Sequence, residues 1–211
     1  MTSWSLSGTP LILASASPTR ASLLQAAKVS FETEPAHLDE EAIKQSALQD
    51  DFSHDELVIL LAEMKAESVS RRRPGYVLGC DQILVCENRL FSKPRSYDEA
   101  KSHLTDLQGR PHQLKTACVL FHDQKRIWHH ISTSSLVMRS LSDKDIDNYI
   151  ASFPEACLST PGAYQIENGG AHLFSEINGV SYDILGLPLL ALLSFLREHG
   201  LTTTKEALTG C

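Results

Sequence analysis

The stretch Tyr76–Cys86, YVLGCDQILVC, constrains this chain more than any other. It reads as an apolar strand interrupted by Gly79 and by the pair Asp81-Gln82. An unpaired carboxylate buried in such a run costs several kcal/mol. Asp81 therefore either marks a turn at a strand end or sits in a cleft opposite a cation.

A second stretch, LILASASPTRASLL from Leu11 to Leu24, suggests where an anion could bind. Leu11, Ile12 and Leu13 form a short buried strand, and the small residues Ala14 to Ser17 follow. Ser17 before Pro18 is the pattern of an N-cap with Pro at the first helical position. Arg20 falls in the first turn of the helix that Ala21, Leu23 and Leu24 continue. Free N–H groups, the positive end of a helix dipole and an Arg at one point make an anion site. The same residues also suit an ordinary strand–turn–helix joint.

The rest of the chain supplies the frame. Val29–Glu34 alternates as a strand, and Asp39-Glu40 precedes a weak helix. Ser53 is a candidate N-cap for an amphipathic helix from Asp55 to about Arg72. The spacing predicts that Leu57, Leu60, Leu61, Met64 and Ser68 line its buried face, with Lys65 at the margin. Arg71–Arg73 at its end complement the helix dipole. A turn at Glu87-Asn88 leads to Arg89–Phe91, and Lys93 is held extended by Pro94, so its amine can be aimed. Helices are predicted over Tyr97–Leu107, Asp143–Ser152 and Leu189–His199. His112–His122 and Lys125–Met138 form an antiparallel pair turning at Asp123-Gln124. Short strands are expected at Ala163–Glu167 and Ala171–Ile177. The pattern is α/β with a mixed sheet. With no repeat or linker in sight, residues 10–200 read as a single domain, and 1–9 and 201–211 as flexible termini.

Composition narrows the function. A formal net charge of −7 argues against a broad basic face for long nucleic acid, while leaving room for a small anionic ligand. The longest apolar run, Leu185–Leu193, is too short to span a bilayer, and Met1–Pro10 shows no signal-peptide core, so the cytoplasm is the expected location. Cys80, Cys86, Cys118, Cys157 and Cys211 contain no C-x-x-C pair and read as buried thiols. His129 and His130 would face opposite ways on a strand and make a poor metal site.

Eight stretches in order resemble the Maf family of nucleoside triphosphate pyrophosphatases: LILASASPTRASLL, Asp39-Glu40, LAEMKAESV, LGCDQILV, LFSKPRSYDEA, LQGRPHQLKTA, PGAYQIE and INGVSYDILGLPL. The resemblance implies an elongated mixed sheet flanked by helices, similar to the inosine triphosphate pyrophosphatase fold, with a nucleotide cleft between two lobes. It implies hydrolysis between the α and β phosphates to a monophosphate and pyrophosphate, aided by a divalent cation, Mg²⁺ or Mn²⁺. Homodimers are common in such proteins, and the implied partner is the nucleotide, with no nucleic acid and no membrane. Asp81 matches the proton acceptor, and Ser15, Ser17 and Arg20 match the triphosphate loop. Glu40, Lys65 and Lys93 match charged residues of the cleft, and Glu40 and Asp81 are the oxygen ligands suited to a hard cation. His112 matches a histidine that reads as structural.

Three positions bear on the base. Pyrimidine-type relatives carry a second Arg, a Thr and a Gln where this chain has Thr19, Gln82 and Glu167. Gln82 and Glu167 resemble the branch acting on 7-methyl-GTP. A carboxylate only accepts hydrogen bonds, which suits the N1–H and amine edge of guanine and a positively charged methylated ring. The expected activity is therefore pyrophosphohydrolysis of a modified purine nucleotide, a house-cleaning role. Broad or pyrimidine (dTTP/UTP) hydrolysis is the alternative, and a nucleotide-binding regulator of cell division with little turnover is another.

Overall fold

The computed structural model describes residues 4–6 and 10–204, with side chains placed from 10 to 201. The expected flexible termini lie largely outside these residues. In chain order the first elements are β1 (Trp4–Leu6), β2 (Leu11–Leu13), α1 (Pro18–Ala26), β3 (Phe31–Thr33), α2 (Glu40–Gln49) and α3 (His54–Ser70). Then come β4 (Tyr76–Cys86), β5 (Arg89–Phe91), α4 (Tyr97–Leu107), β6 (Pro111–His122) and β7 (Lys125–Met138). The chain continues through α5 (Asp143–Ser152), α6 (Pro154–Ser159), β8 (Phe174–Asn178), α7 (Ser181–Ile184), α8 (Leu189–Glu198) and β9 (Thr202–Thr204). The expected strands at 163–167 and 171–177 are corrected in part. Pro161–Ala163 and Gly170–Leu173 are 3₁₀ turns joined by a tight turn, and only β8 is extended. Positive φ at Gly162, Ala163 and Gly169 bends this segment away from strand geometry.

The mixed sheet follows the order β3-β2-β4-β6-β7-β8, with β5 also on β4. Strand β2 runs parallel to both β3 and β4, with Ile12 opposite Glu32 and Val77. The β4–β5 and β7–β8 pairs are antiparallel. Both hairpin turns, Glu87-Asn88 and Asp123-Gln124, have positive φ at both residues, which is how two-residue turns match the twist of their strands. Strands β1 and β9 pair separately, antiparallel.

The chain forms two compact units, and β4, β6 and β7 each give residues to both. The first contains residues 1–81, 116–132 and 186–211. One face of its sheet buries Leu11, Leu13, Leu78, Cys80, Cys118 and Leu120 together with Leu24 of α1 and Leu192, Phe195 and Leu196 of α8. On the other face α3 presents Leu57, Leu61, Ala62, Lys65, Ala66 and Val69, all buried. Lys65 thus lies in the middle of the buried face of α3, not at its margin, while Leu60, Met64 and Ser68 are only half-buried. The reason is Gly79. A Cβ there would lie 2.1 Å from the Ala62 carbonyl oxygen and 2.7 Å from the Ala66 nitrogen. A residue without a side chain on β4, facing two alanines on α3, lets the helix backbone touch the strand.

Arg71, Arg72 and Arg73 do more than complement the dipole. Arg72 and Arg73 pair with Glu34, and Arg73 with Glu32, tying the end of α3 to the β3 edge, while Arg71 pairs with Glu67.

The second unit contains residues 82–115 and 133–185. Its core gathers Leu84, Phe91, Leu104, Leu107, Leu136, Met138, Ile146, Tyr149 and Tyr164. Cys80, Cys86, Cys118 and Cys157 are all buried thiols, as expected; Cys211 lies outside the described residues.

Replacing Gly79 by Ala should push α3 off β4 and destabilise the protein by about 3 kcal/mol, at the upper end of overpacking costs. Chemical denaturation of the variant beside the parent checks this.

Candidate active site

Three elements of the first unit converge on one ammonium. Asp81, on β4 two residues past Gly79, shares the strand face that α3 covers. It is 4% exposed, so its carboxylate needs a partner. Lys65 supplies it, with Nζ 2.5 Å from Asp81 Oδ1. The same Nζ lies 2.7 Å from Glu40 Oε1. Glu40 is the first residue of α2, which Asp39 caps by accepting the Ala42 N–H. Burial opposes the charge on Lys65 and so does nearby Arg20, but Asp81 and Glu40 outweigh them and raise its pKa. Lys65 is therefore a charged, buried, doubly paired lysine, and Asp81 faces a cation inside a continuous strand.

The turn after β2 holds the other charged group. Ser17 caps α1 by accepting the Arg20 N–H at 3.3 Å, and the Ser15 hydroxyl accepts the Ser17 N–H at 3.2 Å. Arg20 Nη1 donates to the same Ser15 oxygen at 3.1 Å, and its Nε donates to the Gly186 carbonyl at 2.7 Å. The Arg20 backbone N–H is thus already capped, and what this turn offers an anion is chiefly the guanidinium. Thr19 sits beside it in the first turn of α1.

The remaining predicted residues belong to the second unit. Gln82 donates from Nε2 to the carbonyls of Asp183 at 3.1 Å and Ile184 at 3.0 Å. Its amide is oriented by α7, through main-chain atoms that carry no sequence signature. Lys93 is exposed between β5 and α4, and Glu167 is exposed in the turn after the first 3₁₀ segment. His112 is buried, with Nε2 2.9 Å from the Tyr164 hydroxyl and its ring packed near Phe174, which fits the structural reading. Among the described residues no three His, Cys, Asp or Glu side chains cluster as a metal site. Glu40 and Asp81, which share one ammonium, would offer a divalent cation two hard carboxylate groups. That is what Mg²⁺ takes from a protein when substrate phosphates and water supply the remaining ligands.

The family described as Maf-like protein matches residues 10–199. The chain belongs to the Maf family. A protein of Granulibacter bethesdensis named nucleoside triphosphate pyrophosphatase is 44% identical, over 90% of this chain and 96% of its own. A Rhizobium meliloti protein named 7-methyl-GTP pyrophosphatase is also 44% identical, over 90% of this chain and 96% of its own. Among solved structures the Staphylococcus aureus Ham1 protein covers 90% of this chain and 100% of its own, at 15% identity and a TM-score of 0.47. No described helix is long and apolar enough to cross a membrane.

Burial lowers the His112 pKa from 6.5 to about 4, and His103 shifts the same way for the same reason. Between those values the unfolded chain binds a proton that the folded chain does not, so stability should rise with pH across pH 4 to 6.5 and level off above. The part due to His112 is about 3 kcal/mol, and a His112→Gln variant should lose it. Urea midpoints at several pH values for both proteins measure this.

Proposed function

We propose that this chain is a nucleoside triphosphate pyrophosphatase that hydrolyses the α–β phosphate anhydride. The observation that carries the reading is Asp81, buried within a strand and paired with Lys65, on the same unit as Arg20. Water adds across the anhydride, the P–O bond between the α and β phosphates breaks, and a monophosphate and pyrophosphate leave. Asp81 accepts the proton of the attacking water, which is the role of a positioned carboxylate. Lys65 pairs with that carboxylate and fixes its direction. Arg20 takes the negative charge that spreads over the phosphate oxygens in the transition state. Glu40 and Asp81 would hold a divalent cation, which when bound supplies further charge neutralisation.

We further infer a modified purine nucleotide, 7-methyl-GTP, as the preferred substrate. The support is Glu167, an exposed carboxylate that can accept from a guanine edge, together with Gln82. The similarity to the R. meliloti 7-methyl-GTP pyrophosphatase points the same way. A site whose polar groups match one base rejects others strongly, because the wrong base leaves those groups unpaired.

Pyrophosphate release with Mg²⁺ or Mn²⁺ should be faster from 7-methyl-GTP than from dTTP or UTP; equal or reversed rates would remove the purine assignment. Asp81→Asn should lower kcat by at least roughly a hundred-fold with nucleotide binding largely retained, the usual scale for losing a general base. A variant with the parent's kcat would show that Asp81 is not the base.

A further inference from the structure

Arg20 is anchored twice by its own unit, and one anchor comes from far away in the chain. The Gly186 carbonyl accepts from Nε at 2.7 Å, across 166 positions of sequence. The Ser15 hydroxyl accepts from Nη1 at 3.1 Å. A guanidinium carries five N–H groups. Two donate to these anchors, so three have no protein partner among the described residues. Gly186 has φ +91, and a Cβ there would lie 3.3 Å from Arg20 Nε and 3.4 Å from Nη2. Only glycine keeps both the carbonyl direction and the room that the guanidinium occupies. A flexible side chain with one ionic contact would lose conformational entropy when it bound phosphate, and a clamped one has lost it already.

We propose that Gly186 is a positioning residue: with Ser15 it forms a two-point clamp that presets the Arg20 guanidinium for the triphosphate. This rests on the pyrophosphatase reading above. The clamp makes Arg at position 20 a requirement of geometry as well as charge. A lysine ammonium there cannot donate along the Nε and Nη directions at once.

The test pairs nucleotide kinetics with calorimetric binding of inorganic tripolyphosphate, which needs no turnover. Gly186→Ala should weaken tripolyphosphate binding and raise KM by roughly ten-fold, the scale of a hydrogen bond to a charged group. Gly200→Ala is the control for backbone strain. It has φ +62 and nothing within 4 Å of its would-be Cβ, and it should bind as the parent does. In an Arg20→Ala background, Gly186→Ala should change binding by less than about two-fold, because its effect runs through the missing guanidinium. Arg20→Lys, which does not strain the backbone, should bind tripolyphosphate nearly as poorly as Arg20→Ala. The clamp is overturned if Gly186→Ala binds normally, if its loss is the same with and without Arg20, or if Arg20→Lys binds like the parent. A parent protein that binds tripolyphosphate but releases no pyrophosphate from any nucleotide would remove the activity and leave the clamp standing.

Discussion

The Lys65 ammonium between Asp81 and Glu40 is the contact on which the rest of the first unit depends. A carboxylate inside β4 is tolerable only because a cation reaches it from α3. That cation reaches it because Gly79 lets α3 lie directly on the strand. Glu40 joins from the start of α2, so one ammonium ties a strand and two helices together. A buried pair of this kind is a weak source of net stability, since both charges lose their water. Its value lies in direction: it fixes where the Asp81 carboxylate points, which is what the proposed base needs.

Much of this was legible in the sequence, for identifiable reasons. Helices α1, α3, α4 and α5 start at Ser caps, and the two-residue turns follow apolar alternation, so the elements could be read locally. Asp81 stood out because an acid in an apolar run must have a partner. The identity of that partner was harder to see. Counting leucines put Lys65 at the margin of α3, because large side chains dominate a periodicity argument. The decisive signal was the small pair Ala62 and Ala66, which only makes sense opposite Gly79. The stretches expected as strands, 163–167 and the start of 171–177, lie instead in turns with positive φ at Gly162, Ala163 and Gly169. Of these, only the glycines could have been suspected from composition.

Long-range contacts to backbone carbonyls were not legible at all. Gly186 accepting from Arg20, and Asp183 and Ile184 accepting from Gln82, pair side chains with main-chain atoms that carry no sequence signature. Both lie around α7 and the turn that follows it. Of the residues expected to choose the base, Gln82 and Glu167 belong to the second unit, and Thr19 belongs to the first with Arg20, Lys65 and Asp81.

The claim that Lys65 and Asp81 form a buried, mutually dependent pair is tested most directly by a double-mutant cycle in folding stability, using Lys65→Met, Asp81→Asn and the combination. Removing one partner of a buried ion pair costs about 3–5 kcal/mol because it strands the other charge, whereas removing both costs far less than the sum. Lys65→Met should be clearly less destabilising in the Asp81→Asn background than in the parent. An equal cost in the two backgrounds would mean that the two charges do not depend on each other.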